Sequence, residues 1–243
     1  MNRHSETHEV IEQLNQAARK LDAVGRLRLI VDRFGDQATM ATSFGAEDQV
    51  LTGMLAALPA RIDIFTIDTG RLPQETYDVM ARTQERYGLR IRLLFPDYQA
   101  VEQMVNRYGP NLFYQSVELR KHCCTVRKVE PLRRALAGRQ FWVCGLRREQ
   151  SVTRQALDFF QWDEQFELIK ACPLADWTEQ QTWDAIRSGN VPYNRLHDAG
   201  YPSIGCAPCT RAIEPGQDVR AGRWWWEAPE HKECGLHLKK NKD

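Results

Sequence analysis

Gln37-Ala38-Thr39-Met40-Ala41-Thr42 runs into Ser43-Phe44-Gly45-Ala46-Glu47-Asp48 and then into an apolar stretch, residues 49–58, stopped by Pro59. The reading is a short buried strand, a glycine-bearing turn and a helix, an order that aims backbone N–H groups at an anion such as phosphate. The same alternation recurs outward from it. Residues 62–67 (Ile-Asp-Ile-Phe-Thr-Ile) are a β-branched and aromatic strand ending in Asp68-Thr69-Gly70-Arg71. Pro73 is well placed in the first turn of a helix reaching about Tyr87. Residues 89–95 make a third strand, 98–108 a helix, 140–144 a strand ending in Gly145-Leu146-Arg147-Arg148, and 166–170 a last strand. Thr178 with Gln181 three residues on is a capping box that opens a further helix. Strands alternating with helices imply an α/β fold with a parallel sheet covered on both faces. Ligands of such sheets sit at the carboxyl ends of strands. The three turns 43–48, 68–71 and 145–148 all fall there.

Before this core, residues 8–34 carry helical periodicity. After Asn190, prolines alternate with glycines and no long apolar period survives. We therefore expect one domain over 1–243: N-terminal helices to about 36, a nucleotide-binding core over about 37–190, and a loop-rich C-terminal tail over about 191–243. The N-terminal residues lead into charged helical sequence with no apolar signal region, and no uncharged run approaches a membrane span, so the expected location is cytoplasmic.

The net charge is +1, which argues against bulk nucleic-acid binding. The charge is unevenly spread, however. From Arg120 to Arg154 ten basic residues face two acidic ones, so this segment is where an anion pocket is sought. Arg133, Arg134 and Arg139 read as a solvated face. Arg127, Lys128, Arg147 and Arg148 flank cysteines or a strand end and read as the pocket, because guanidinium forks bind phosphate and sulfate oxygens bidentately.

Seven cysteines in a chain expected in a reducing compartment favour metal binding or catalysis over disulfides. Cys123-Cys124 lies inside a basic run and Cys206-Ala207-Pro208-Cys209 about eighty residues on. Four thiolates suit zinc or an iron–sulfur cluster. Adjacent side chains diverge on a helix, which favours the separate corners of a cluster over one zinc ion. Cys144 and Cys172 read as buried small apolar residues. Cys234 is left for chemistry: His237 is three residues on, and Arg220, Arg223, Lys232 and Lys239 supply positive charge that favours thiolate, against Glu233.

Taken in order, these motifs resemble the assimilatory adenylyl-sulfate (APS) reductases, relatives of the phosphoadenylyl-sulfate (PAPS) reductases. Lys121-His-Cys-Cys-Thr-Val-Arg-Lys128, Cys144-Gly-Leu-Arg-Arg-Glu-Gln-Ser151, Gly205-Cys-Ala-Pro-Cys-Thr210 and Glu233-Cys-Gly-Leu-His237 carry the likeness, together with residues 43–48 and 68–71. The resemblance implies an adenine-nucleotide-alpha-hydrolase-like (Rossmann-like) fold and a 4Fe-4S cluster on Cys123, Cys124, Cys206 and Cys209. It implies thioredoxin-dependent reduction of adenosine 5′-phosphosulfate to sulfite and AMP through an S-sulfocysteine on Cys234. Ser43, Gly45 and Asp48 would belong to the modified pyrophosphate loop, and Thr69, Gly70 and Arg71 to the nucleotide contact. Lys128, Arg147 and Arg148 would form the phosphosulfate clamp, joined by Arg154, Arg220, Arg223 and His237, and Gly145 would be a further substrate-binding residue. The rivals are a PAPS or dual-specificity reductase, an ATP-dependent RNA-thiolating pyrophosphatase-loop enzyme, and a non-catalytic zinc-ribbon-like module. A homo-oligomer is left open.

Overall fold

The computed structural model describes residues 3–150 and 154–228. They gather into two compact units, each discontinuous in sequence. The first takes the chain up to Phe65, Ala81–Arg92 and Gly138–Tyr193; the second takes Thr66–Met80, Leu93–Ala137 and the chain from Asn194 on.

Six strands are present: β1 (Ala38–Ala41), β2 (Asp63–Ile67), β3 (Arg92–Leu94), β4 (Phe141–Val143), β5 (Phe160–Asp163) and β6 (Leu168–Ala171). Their order in the sheet is β3-β2-β1-β4-β6-β5. The expected parallel core is there: β1 pairs β2 with Met40 opposite Ile64, β1 pairs β4 with Met40 opposite Val143, and β4 pairs β6 with Val143 opposite Ala171. The chain leaves β1 for β2 and β3 on one side and returns to β4 on the other, so the switch point lies between β1 and β4. The central strands are mostly apolar and deeply covered, Ala38, Met40 and Val143 having no exposed area, and the buried Thr39 hydroxyl donates to Asp63 O at 2.9 Å.

One strand departs from the expectation. β5 is antiparallel to β6 and forms the sheet edge. Its free side is closed by Asn15, whose amide donates to Phe160 O (2.8 Å) and accepts from Phe160 N (3.0 Å). A single side chain thus takes up the outward N–H and C=O of Phe160, which an edge strand would otherwise offer to another chain.

The N-terminal periodicity resolves into α1 (Arg3–Ala18) and α2 (Ala23–Phe34). Asp22 caps α2 by accepting from Gly25 N, so the break precedes Gly25. α3 (Ala46–Ala56) starts three residues earlier than its apolar run, with Gly45 as N-cap. α4 (Gln74–Tyr87) and α5 (Tyr98–Tyr108) match expectation, Asp97 capping the latter through Ala100 N. α8 (Glu179–Ser188) carries the expected capping box, with both of its hydrogen bonds formed.

The paired cysteines lie in an unbroken helical segment. α6 (Val117–Cys124) continues through a π-helical turn (Thr125–Val129) into α7 (Glu130–Leu136) as one helical run. Pro131 is the physical reason: it has no N–H for the carbonyl of Arg127, and its ring crowds that carbonyl. The backbone widens instead, and Glu130 N bonds back five residues to Thr125 O. Beyond Asn194 the described chain is loop with short 3-10 turns at Arg195–His197 and Ala207–Cys209, as its composition predicts.

Candidate active site

In the first unit the loops after β1 and β4 meet on one carboxylate. Asp48 Oδ2 accepts from Ser43 N (2.7 Å) and Ser43 Oγ (2.8 Å), and the carboxylate also takes the Gly145 N–H. Gly145 has to be glycine: a Cβ there would fall on Asp48 Oδ1 and lie 2.9 Å from Glu47 Cβ and 3.1 Å from Asp48 N. Phe44, buried with φ +59°, reverses the chain between strand and helix, and its N–H is held by Thr42 Oγ1 at 3.0 Å. Burial pushes the Asp48 carboxyl up to about 6, against the Ser43 hydrogen bonds, which favour the anion. Ser43 itself is exposed. Ser43, Gly45, Asp48 and Gly145 are therefore one construction at the strand ends that flank the switch point.

Arg147 belongs to the same construction by another route. It is 5 % exposed and donates to Glu47 Oε1 (2.8 Å), Glu149 Oε2 (3.0 Å) and Trp177 O (3.4 Å). Its charge is matched by carboxylates of the chain itself, and Glu149 Oε2 in turn accepts the first N–H of α8, from Glu179. Arg148 is partly exposed, donates to Leu157 O (2.7 Å) and has Asp158 at 4.0 Å. Arg154 bonds Gln150 Oε1. Sequence reading found these cations and missed Glu47 and Glu149 as their partners.

The second unit builds the other half of the predicted residues around cysteines. Asp68 starts the turn after β2: its carboxylate accepts Gly70 N (2.8 Å) and, on both oxygens, the Tyr77 hydroxyl (3.0 Å each). Burial, together with that carboxylate, lifts the Tyr77 hydroxyl to about 12. Thr69 Oγ1 accepts Arg71 N (3.2 Å) and lies 3.3 Å from Cys206 Sγ. Arg71 stacks over Phe113, reaches Asn111 Oδ1 (3.2 Å), and its carbonyl accepts Ala207 N (2.8 Å). The Asp-Thr-Gly-Arg turn is thus stitched to the Cys-x-x-Cys loop.

Cys123, Cys124, Cys206 and Cys209 are all buried, carry no disulfide, and share an apolar cluster with Met104, Leu112, Phe113 and Trp224. They line one small, partly open cavity with Arg71, Arg120, Arg127 and Lys128. Among the described residues no group of three or more His, Cys, Asp or Glu side chains is arranged to hold a metal ion; what the four thiols share is this cavity. Burial raises Cys209 to about 12 and raises Cys123, with Arg127 partly offsetting the latter. Cys206 is lowered: burial opposes ionisation, but Lys128, the Thr69 hydroxyl, Arg223 and Arg127 outweigh it. Two buried N–H groups at this cluster have no hydrogen-bond acceptor, Arg127 Nε and Trp224 Nε1. Four free thiols, surrounding cations and donors without acceptors form a donor set suited to a polyanionic sulfur-ligated group.

Arg223 and Arg220 stack over Trp224, at 4.7 and 5.8 Å from the ring centre. Arg223 donates to Ser203 Oγ (3.2 Å) and Ile204 O (3.3 Å), and a Cβ at Gly205 would collide with its guanidinium. Glycine immediately before Cys206 is what admits that arginine. Arg120 and Glu227, neither singled out in the sequence, form a fully buried ion pair beside Cys124. Arg120 lies four residues before Cys124 on the same helix face, a spacing that could have flagged it. Cys234 and His237 lie outside the described residues. No helix among the described residues is long and apolar enough to cross a membrane.

Residues 37–212 match the phosphoadenosine phosphosulfate reductase domain. The chain belongs to that family. It is 53 % identical over 227 residues to the adenosine 5′-phosphosulfate reductase of Allochromatium vinosum, covering 93 % of this chain and 83 % of that one. The enzyme of the same name from Burkholderia cepacia is 49 % identical, over 92 % and 89 %. Among solved structures, the phosphoadenylyl-sulfate reductase of Candida auris in its phosphate complex superposes with a TM-score of 0.72 at 28 % identity, covering 84 % of this chain and 97 % of that one. Yeast FAD synthetase shares the fold alone, with a TM-score of 0.55 at 15 % identity. The nucleotide-alpha-hydrolase-like fold expected from the sequence is the fold of this family.

Proposed function

We propose that this protein reduces adenosine 5′-phosphosulfate to sulfite and AMP in sulfate assimilation, with thioredoxin as electron donor. The observation that carries the reading is the cavity lined by Cys123, Cys124, Cys206 and Cys209 and stitched to the Asp68-Thr69-Gly70-Arg71 turn, in a chain whose relatives bear that enzyme name. The four thiols would hold a 4Fe-4S cluster. Bound there, it would supply a fixed, negatively charged body against which Lys128 and the surrounding arginines are set. Ser43, Gly45, Asp48 and Gly145 would shape the loop that receives the nucleotide phosphate, with the Asp48 carboxylate holding the Ser43 and Gly145 N–H groups in place. Thr69, Gly70 and Arg71 would contact the nucleoside. Lys128, Arg148, Arg220 and Arg223 would neutralise the phosphosulfate, with Arg154 and His237 completing the set, while Arg147, committed to Glu47 and Glu149, would brace the loop that carries Arg148.

The chemistry assigned to Cys234 is covalent catalysis. Its thiolate attacks the sulfur of the sulfate, an S–S bond forms, and the S–O bond to AMP breaks with its electron pair leaving on the phosphate oxygen. A thiolate of thioredoxin then attacks the Cys234 sulfur, sulfite departs, and the second thioredoxin thiol resolves the mixed disulfide. Two electrons thus pass from the dithiol to sulfur. Cytoplasmic thioredoxin makes the cytoplasm the matching location.

The test is to incubate anaerobically purified protein with ³⁵S-labelled adenosine 5′-phosphosulfate without reductant and separate it on a non-reducing gel. A labelled band that thioredoxin discharges as sulfite, and that Cys234→Ser abolishes, is expected. Labelling by the 3′-phosphorylated nucleotide alone would move the assignment to a phosphoadenylyl-sulfate reductase, and sulfite release at the normal rate from Cys234→Ser would remove the nucleophile.

A further inference from the structure

Arg120 is wholly buried and Glu227 2 % exposed by side chain, yet they form a bidentate pair, Nε to Oε1 at 2.9 Å and Nη2 to Oε2 at 2.7 Å. An ion pair this deep is a poor source of stability, since apolar residues of similar volume usually do as well or better. Its surroundings suggest another use. The Nε–Nη2 edge of the guanidinium is taken by Glu227, its face lies 4.7 Å from the centre of the Trp224 ring, and its remaining N–H groups are within hydrogen-bonding reach of Cys124. Arg120 also lines the four-cysteine cavity.

The turn that delivers Glu227 is strained. Trp224 has φ +41°, in the left-handed region that a bulky residue adopts only under strain. Glu227 N closes the turn on Trp224 O at 2.8 Å, so ring and carboxylate converge on the same arginine. The pair is neutral overall but directed, with its positive end on Cys124 and its negative end behind. It orients and polarises one sulfur without adding net charge to the cavity.

We propose that Arg120, locked by Glu227, is the positioning residue of the Cys124 ligand, holding that sulfur toward the cavity while it binds iron. This rests on the cluster reading above. The test uses the full chain, purified anaerobically, as wild type, Arg120→Lys, and the double variant Arg120→Met with Glu227→Leu. Thermal melting, iron per chain, visible circular dichroism and the rate of iron loss to a chelator are compared.

The double variant should melt within a few degrees of wild type, yet show an altered visible spectrum and lose iron ~10–100-fold faster, the usual penalty for removing a partner of a metal ligand. Arg120→Lys keeps the charge but lacks the fork, and should show the same changes more weakly. Wild-type spectrum and iron-loss rate in a folded double variant would overturn the proposal. If the double variant does not fold, unchanged iron loss in Arg120→Lys overturns it instead. Wild-type protein without iron would bring down the cluster reading and this inference with it, which separates that failure from a defect confined to the variants.

Discussion

In the first unit, the buried arginines Arg26 and Arg147 both face carboxylates: Asp176 grips Arg26 at 2.7 and 2.9 Å, and Glu47 and Glu149 share Arg147. In the second unit, Arg127 and Arg223 hold a threonine carbonyl, a serine hydroxyl and a loop carbonyl, and the charge they lie beside is sulfur. Arginine is therefore structural at Arg26 and Arg147 and a counter-charge at Arg127 and Arg223. What decides between the roles is the partner. Arg147 is committed to two carboxylates within the fold, whereas the charge of Arg127 favours the thiolate of Cys123 and that of Arg223 the thiolate of Cys206.

The largest expected effect separates two neighbours that look alike in sequence. Arg147→Met leaves the mostly buried Glu47 without its cation and frees the exposed Glu149, and should cost ~3 kcal/mol in urea unfolding. Arg148→Met removes a partly exposed side chain and should cost less than ~1 kcal/mol, while raising KM for the nucleotide. Equal stability losses would erase the distinction drawn between the carboxylate-held Arg147 and its partly exposed neighbour.

Gly145→Ala comes next. Its Cβ would push Asp48 and Glu47 away from β4, costing ~1–3 kcal/mol and lowering kcat/KM with it. A variant of unchanged stability would mean that the two loops do not close on one another.

The smallest effect is a pH dependence. The folded-state value of Asp48 is raised from 3.8 to about 6, so the folded state binds its proton more tightly than the unfolded chain. The contribution of Asp48 to stability is therefore fully present below pH 4, falls as pH rises toward 6, and is constant above. For a half-buried group this should amount to ~1–2 kcal/mol. It is read as the difference in unfolding free energy between wild type and Asp48→Asn at pH 4, 5 and 7. A difference that does not change with pH would place the Asp48 carboxyl in ordinary solvent.

Periodicity and turn residues located β1, β2, β4 and the helices that follow them, because each strand is a continuous apolar run closed by a glycine turn. β5 escaped because Phe160-Gln161-Trp162-Asp163 is short and its hairpin with β6 lacks a glycine or asparagine at the reversal. Glu167, at φ +55°, takes the left-handed position instead. The cysteines, the Asp68 turn and the strand-end loops could be read from residue type and order. Their partners could not: Glu47 is 100 residues from Arg147, and Glu227 is 107 from Arg120. Sequence spacing carries helix-face information over four residues and none over a hundred, so the cations were visible and their commitments were not.

The claim that the second unit's cations serve four thiolates is tested most directly by measuring iron and acid-labile sulfide in anaerobically purified protein, beside Cys206→Ser. The account predicts about four irons and four sulfides per chain in wild type, with both lost when Cys206 is replaced. One zinc per chain, or iron retained without Cys206, would contradict it.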